Sequence, residues 1–146
     1  MNFGIEIEQL ISAAGATRVG IAFCDLATGE EFQFNGDEAF HAASTMKVCV
    51  LMELFHQAEL GELGLDEAVE IRNEFPSIVD GSPFSVGEED DSEKSLHHRI
   101  GELETLILLA RPMIIESSNL ATNLLVDRSP ELASRRTPIL IYIAMG

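Results

Sequence analysis

The early part of the chain alternates apolar and polar residues in a way that is typical of a β-hairpin. The run RVGIAFCDL at 18–26 is rich in apolar and β-branched residues, and EFQFN at 31–35 alternates cleanly between polar and aromatic side chains. The segment ATGE that separates them contains the glycine that a tight turn favours. Before the hairpin, the spacing of apolar residues over 3–14 predicts a helix that ends at Gly15.

The next part of the chain changes to helical periodicity. Over 44–60, apolar residues recur at i, i+3, i+4 and i+7, and we expect this stripe to be the buried face of a helix, with members Val48, Leu51, Met52 and Phe55. Similar patterns predict a helix over 99–110, ended by Pro112, and another over 113–126 around the polar run ESSN. We expect the helices to share one core, made of Val48, Leu51, Leu54, Leu106, Leu109 and Leu124.

The segment between these helices is less regular. Residues 65–72 suit either a short strand or a helical turn, and both interpretations stay open. Residues 73–95 are rich in proline and glycine and predict a long loop. The acidic run EEDD at 88–91 is interpreted as a charged surface loop, and His97 and His98 beside it as solvated residues rather than metal ligands.

Residues 128–146 differ in character from the acidic chain before them. They carry more basic than acidic residues and finish on the apolar run PILIYIAMG, which is strand-like in composition and has no following strand to pair with. Native domains avoid an unpaired apolar strand at an edge. We therefore divide the chain into a domain over 1–127 and an atypical tail over 128–146, and we hypothesise that a frameshift or a fragmentary gene model cuts the native domain short.

Composition and charge exclude several kinds of partner. The 146-residue chain is 46% hydrophobic, which is globular composition, and its formal net charge of -16 argues against nucleic acid and anionic membranes as partners. No secretory signal and no membrane-spanning stretch is recognisable, so the chain as written is expected to stay in the cytoplasm. Cys24 and Cys49 are interpreted as buried free thiols, with a single bridge between them left open. The sequence indicates no oligomeric state.

Ser44 and Lys47 are the first candidates for chemistry. They belong to the run STMK at 44–47, at a predicted helix start, where positions i and i+3 share a face. A desolvated lysine has a lowered pKa, and its neutral amine accepts the proton of a serine hydroxyl. The backbone N–H groups of a helix start stabilise the negative charge that develops on an attacked carbonyl oxygen. The alternative is an N-cap serine beside a solvated lysine.

A polar triplet later in the chain supplies further candidates. Ser117, Ser118 and Asn119 interrupt two apolar segments, MII and LATNLL. A second serine can relay a proton to a leaving group, and an asparagine can donate a hydrogen bond to a substrate carbonyl. The alternative is a loop followed by an N-cap before a helix that starts at Leu120.

Together these motifs resemble those of the penicillin-recognising serine enzymes, and specifically the class A β-lactamase-like serine hydrolases. The family motif S-x-x-K matches STMK, and the motif S-D-N matches SSN in two of its three places. Three longer segments also resemble the family and occur in the same order: the hairpin, the segment DEAFHAASTMKV around the first motif, and the segment MIIESSNLATNLLVD around the second. The resemblance covers residues 3–127.

The resemblance implies a fold and a set of roles. The implied fold is α/β, of the α+β type: the N-terminal part of the β-lactamase/transpeptidase-like fold, with an N-terminal helix, a β-hairpin and a mainly helical subdomain, and without the rest of the antiparallel sheet. Ser44 is the implied nucleophile, Lys47 its base, and Ser117 the proton donor to the lactam nitrogen. Asn119 binds the side-chain amide of a small-molecule β-lactam or a related amide or ester. No cofactor and no metal are implied.

The departures from the family pattern modify these expectations. Ser118 stands where the family has an aspartate that organises the loop, so we expect a local adjustment there. The sequence contains no match for the family's deacylating glutamate or its K-[TS]-G motif, and we expect the chain, expressed alone, to be poorly stable and slow or inert toward β-lactams. Three functions stay open: a β-lactamase, a penicillin-binding or D,D-peptidase-like protein that deacylates slowly, and a non-catalytic remnant.

The resemblance also bears on localisation, since family relatives are generally periplasmic or secreted.

Overall fold

The computed structural model describes residues 3–77 and 80–129, which divide into two units, Met1–His41 and Ala42–Gly146. We call them the hairpin unit and the helical unit. Residues 130–146 lie outside the described part of the chain, and with them the apolar end run. The proposed division of the chain at residue 127 therefore stays a prediction.

The hairpin unit is ordered by local contacts. Helix α1, Phe3–Ala14, precedes strands β1, Ile21–Cys24, and β2, Glu31–Phe34, which pair antiparallel. In the turn between the strands, Asp25 Oδ1 accepts hydrogen bonds from the backbone N–H groups of Ala27 at 2.8 Å and Thr28 at 3.2 Å. Gly29 closes the turn at a φ of +73°, a left-handed conformation that glycine adopts without strain. The predicted helix and hairpin are confirmed.

The helical unit combines helices with two small antiparallel sheets. Its helices and strands, in chain order, are α2 Met46–Glu59, β3 Ala68–Glu70, β4 Phe75–Pro76, β5 Pro83–Phe84, β6 Leu103–Thr105, α3 Leu106–Ile115 and α4 Asn119–Arg128. Strand β3 pairs with β6, and β4 with β5. Of the two interpretations of residues 65–72, the strand is therefore the observed one. The long loop predicted over 73–95 is interrupted by the short β4–β5 pair.

One core joins α2, α3 and α4, but it uses a different face of α2 from the predicted one. Leu54, Leu106, Leu109 and Leu124 are buried as expected, and Leu51 packs at the edge of the core. The other three residues of the predicted stripe of α2 face outward, with exposed fractions of 53% for Val48, 67% for Met52 and 45% for Phe55. A second stripe of α2, formed by Met46, Val50 and Leu54, is buried instead. Both stripes are apolar at helical spacing, so periodicity alone does not choose between them.

Helix α3 begins later and ends later than its pattern predicts. Residues 103–105 pair with β3 as a strand, which delays the helix start to Leu106. Pro112 lies inside α3 and does not end it. Proline has a helical φ but donates no backbone hydrogen bond, so it costs the helix stability. We infer that burial of Leu109 and Met113, both at 0% exposure in the same helix, offsets this loss.

The structure also bears on the two cysteines, on membrane-spanning helices and on metal sites. Cys24 and Cys49 are free thiols, but Cys24 is exposed and Cys49 half-buried, so the expected burial of Cys24 is wrong. None of the described helices is both long enough and apolar enough to cross a membrane. Across residues 3–77 and 80–129, no group of three or more histidine, cysteine or acidic side chains is arranged to hold a metal ion.

Candidate active site

Ser44 and Lys47 lie at the start of α2 in contrasting environments. Ser44 is exposed and belongs to a short 3₁₀ turn, Ala43–Thr45, that leads into the helix. Lys47 is in the first turn of α2 and is only 3% exposed. Its Nζ lies 3.4 Å from Ser44 Oγ, as the i, i+3 spacing predicts. The N-cap alternative is wrong, because Thr45 occupies the cap position and Lys47 is not solvated.

Ser117 joins these two residues from a turn between α3 and α4. It adopts a φ of +58°, which costs a non-glycine residue on the order of 1–3 kcal/mol and is typical of functional sites. This conformation places both of its oxygens near Lys47 Nζ, the carbonyl at 2.6 Å and Oγ at 3.0 Å. Ser117 Oγ donates a hydrogen bond to Ser44 Oγ at 2.8 Å. A continuous path of hydrogen bonds therefore connects the buried amine to the exposed hydroxyl.

Asn119 and Ser118 complete the turn. Asn119 Oδ1 accepts a hydrogen bond from Lys47 Nζ at 2.8 Å, so the structure brings all four predicted site residues into one cluster. Ser118 caps α4 by accepting from the backbone N–H of Ala121 at 3.1 Å. The loop with an N-cap, stated as the alternative for this triplet, is thus present as well, with the helix starting at Asn119. The predicted roles of the four residues stay predictions.

Burial sets the acid–base character of Lys47. Removal of its ammonium group from water lowers the pKa of Lys47 below its ordinary value of 10.5, and the negative charge of Asp91 opposes part of that shift. The amine therefore loses its proton more readily than a lysine in water. That is the property that a base for a serine hydroxyl requires.

Asp91 is the residue that the sequence analysis missed. Its side chain is 0% exposed, so the interpretation of EEDD as a surface loop is wrong at this position. The carboxylate accepts hydrogen bonds from the backbone N–H groups of Asn119 at 2.9 Å and Leu120 at 2.8 Å, and from Ser118 Oγ at 3.2 Å. Burial raises the pKa of Asp91, but the N–H groups of Leu120 and Asn119 outweigh it and hold the pKa below its ordinary value.

The two histidines that follow the acidic run differ from each other. His97 Nε2 lies 3.3 Å from the carboxylate of Asp91, and the His97 side chain is 5% exposed. The side chain of His98 is 70% exposed. The expectation of solvated histidines is therefore wrong for His97 and holds for His98. His97 Nε2 lies near Asp91 Oδ2, the same oxygen that accepts from Leu120 N and Ser118 Oγ.

Comparison with known proteins identifies the family to which this chain belongs. The model of the Beta-lactamase enzyme family matches residues 3–133. The chain belongs to this family. The predicted resemblance is thereby confirmed, and the helices and small antiparallel sheets correspond to part of the class A β-lactamase fold.

Individual members of the family show how much of the fold is represented. The chain is 26% identical over 125 residues to β-lactamase CARB-4 of Pseudomonas aeruginosa, which covers 84% of this chain and 39% of that protein. An ancestral (GNCA) class A β-lactamase superposes with a TM-score of 0.67 at 26% identity, over 85% of this chain and 42% of that one. A mutant of PBP-A, solved as an acyl-enzyme complex with penicillin G, gives a TM-score of 0.64 at 28% identity, over 87% and 44%. The chain thus spans less than half the length of these relatives.

Proposed function

We propose that the helical unit carries the acylating centre of a β-lactamase-type serine hydrolase, in which Ser44 opens a β-lactam or a related amide or ester. The observation that carries this proposal is the path from Lys47 Nζ through Ser117 Oγ to Ser44 Oγ, with steps of 3.0 and 2.8 Å. Membership of the β-lactamase family supports it. The PBP-A mutant provides a further precedent, since it forms an acyl-enzyme with penicillin G.

The first step is the attack of Ser44 on the lactam carbonyl. Neutral Lys47 accepts the hydroxyl proton of Ser44, directly or through the Ser117 hydroxyl, and the Ser44 oxygen forms a bond to the carbonyl carbon. The carbonyl oxygen then carries a negative charge. The backbone N–H of Ser44 at the start of α2 stabilises that charge.

The second step breaks the carbon–nitrogen bond of the lactam. The departing nitrogen takes the proton of the Ser117 hydroxyl, and the Lys47 ammonium returns a proton to Ser117. The products are an ester at Ser44 and a neutral lysine, so the net result is the transfer of one proton from the Ser44 hydroxyl to the lactam nitrogen. Asn119, the first residue of α4, binds the amide side chain of the substrate.

Release of the acyl group requires a base that activates water. In the described part of the chain, no carboxylate is hydrogen-bonded to Ser44 or Ser117, and the nearest acidic partner of the turn, Asp91, binds backbone N–H groups instead. We therefore expect slow release. This favours the behaviour of a penicillin-binding protein over rapid β-lactam turnover for the chain as it stands.

Intact-protein mass spectrometry with benzylpenicillin tests the proposal. We expect the 146-residue chain to gain the mass of one penicillin and to keep it, because acylation outpaces release. Ser44→Ala should gain nothing, whereas the control Ser12→Ala, which removes an exposed serine of α1, should behave like the wild type.

Two results would change the conclusion. Nitrocefin turnover without a lasting adduct would show a complete β-lactamase and contradict slow release. A folded chain that forms no adduct would contradict acylation and leave the non-catalytic remnant.

A further inference from the structure

Asp91 holds the start of α4 from a different segment of the chain. Its two carboxylate oxygens divide between neighbouring donors, with Oδ1 accepting from Asn119 N and Oδ2 from Leu120 N and Ser118 Oγ. The first N–H groups of a helix have no partner within the helix, and a negative charge there is favourable. A carboxylate that is 0% exposed and accepts from three donors of this turn orients the turn strongly.

The turn that Asp91 holds is the one that contacts Lys47. Ser117 directly precedes the residues bound by Asp91, and Asn119 is one of them. Both accept hydrogen bonds from Lys47 Nζ, at 3.0 Å for Ser117 Oγ and 2.8 Å for Asn119 Oδ1. The amide group of Asn119 also donates to the backbone carbonyl of Asp90 at 3.1 Å, so the same acidic segment orients its side chain. Asp91 itself is not hydrogen-bonded to Ser44 or Lys47 within the described residues.

We propose that Asp91 is a positioning residue for acylation of Ser44, whose carboxylate keeps Ser117 and Asn119 at the distances from Lys47 that proton transfer requires. The inference rests on the proposed function. It assigns to Asp91, which lies outside both sequence motifs, the task of fixing the geometry between them. His97 at 3.3 Å keeps the carboxylate shielded from water.

Glu93 offers a matched control for a merely structural role. It is a second buried carboxylate of the same segment, 9% exposed, and it accepts hydrogen bonds from the backbone N–H groups of Ser95 at 2.7 Å and Leu96 at 3.1 Å. These contacts hold the segment's own backbone and do not reach α4. The backbone N–H of Glu93 donates to Asp91 Oδ1 at 3.4 Å, and Glu93→Gln keeps that N–H. We therefore expect loss of the Glu93 charge to disturb the segment more than it disturbs Ser117.

A transposed variant separates position from folding. Ser118 Oγ lies 3.2 Å from Asp91 Oδ2, so a carboxylate at position 118 reaches the space beside the α4 turn. Exchanging the two residues, as Asp91→Ser with Ser118→Asp, conserves composition and charge. An aspartate is also as good an N-cap as a serine.

The test measures the rate at which benzylpenicillin acylates Ser44 in the full chain. We expect Asp91→Asn to slow acylation by about ten- to a hundredfold, because small displacements of catalytic groups have effects of that size. Glu93→Gln should stay within about twofold of the wild type, since it keeps the backbone N–H that donates to Asp91 and leaves the carboxylate of Asp91 in place. The exchange variant should recover most of the rate lost in Asp91→Asn.

Several results would overturn the inference. One is a folded Asp91→Asn protein that acylates at the wild-type rate. Another is an exchange variant that folds, as judged by circular dichroism, but acylates as slowly as Asp91→Asn. If Asp91→Asn does not fold, the exchange variant decides alone.

A readout without substrate distinguishes this inference from the proposed function. The chain contains two lysines, Lys47 and Lys94, so their side-chain NMR signals are readily resolved and assigned. Asp91→Asn should shift the Lys47 signal and lower the pKa of Lys47, whereas Glu93→Gln should leave the Lys47 signal in place. An unchanged Lys47 signal in Asp91→Asn would overturn the positioning role, even if the wild type formed no penicillin adduct and the proposed function failed.

Discussion

The hairpin unit and the helical unit are both regular, but they are stabilised in different ways. Among the side chains described in the hairpin unit, Ile7 is the single buried apolar one, whereas Leu26 is 95% exposed and Phe23 57% exposed. The helical unit instead buries a continuous core that joins three helices. Local turn and strand hydrogen bonds order the first unit, and long-range burial orders the second.

This difference explains which unit contains the candidate site. A buried lysine needs surroundings that exclude water and supply hydrogen-bond acceptors in fixed positions. The core of the helical unit provides both, since Lys47 follows the core residue Met46 and meets Ser117 from a segment 70 positions away. The exposed surface of the hairpin unit offers no such environment in its described residues.

The largest expected effect is on the free energy of unfolding, when the same leucine-to-alanine substitution is made in each unit. Leu109→Ala, in α3 at 0% exposure, should lower the free energy of unfolding by about 2–5 kcal/mol, because it removes buried methyl groups and leaves a cavity. Leu26→Ala, at 95% exposure in the hairpin unit, should stay within about 0.5 kcal/mol. Urea titration followed by circular dichroism measures both. Equal losses in the two variants would contradict the contrast between the units.

A smaller effect is expected from two aspartates that bind backbone N–H groups. The pKa of Asp25 is lowered by the N–H groups of Ala27 and Thr28, and that of Asp91 by those of Leu120 and Asn119 against the effect of burial. Asp91→Asn should cost about 1–3 kcal/mol at neutral pH, because a buried hydrogen-bonding group is left imperfectly paired. Asp25→Asn, in an exposed turn, should change the urea midpoint little.

The pH dependence of stability gives a second test of the contribution of Asp91. A carboxylate with a lowered folded-state pKa contributes stability that is fully present above the ordinary value of 3.8 and is lost as the pH falls through the folded-state pKa. The wild type should therefore lose this stability on acidification below the ordinary value of 3.8, and Asp91→Asn should lose less over that interval. Parallel stability curves for the wild type and Asp91→Asn would show that the carboxylate of Asp91 contributes nothing.

The parts of the molecule that depend on neighbours in sequence were predictable. The hairpin, helix α1 and the meeting of Ser44 with Lys47 all follow from local spacing or turn chemistry. The buried face of α2 did not follow, because two apolar stripes share that helix and only its packing against α3 and α4 selects the one with Val50. The contact of Ser117 with Lys47 was implied by family resemblance, not by spacing.

Asp91 was missed for a related reason. A run of four acidic residues favours solvent on average, and nothing in its composition distinguishes the one carboxylate that is buried. The SSN triplet did carry a signal, since its middle position lacks the acidic residue that the family has there. A search for a carboxylate elsewhere in the chain follows from that absence, and the contacts of Asp91 with Ser118, Asn119 and Leu120 are where it leads.

Under the proposed function, burial makes Lys47 the base that activates Ser44. The chain has only one other lysine, Lys94, which serves as the control. We would measure the rate of Ser44 acylation by benzylpenicillin as a function of pH in the wild type, Lys47→Met and the control Lys94→Met, which alters an exposed lysine. We expect a wild-type rate that rises with pH, with an inflection below the ordinary lysine pKa of 10.5, and the same profile in Lys94→Met. Lys47→Met should lose the inflection and about 10²–10⁴-fold in rate. A folded Lys47→Met protein that acylates as fast as Lys94→Met would contradict the account.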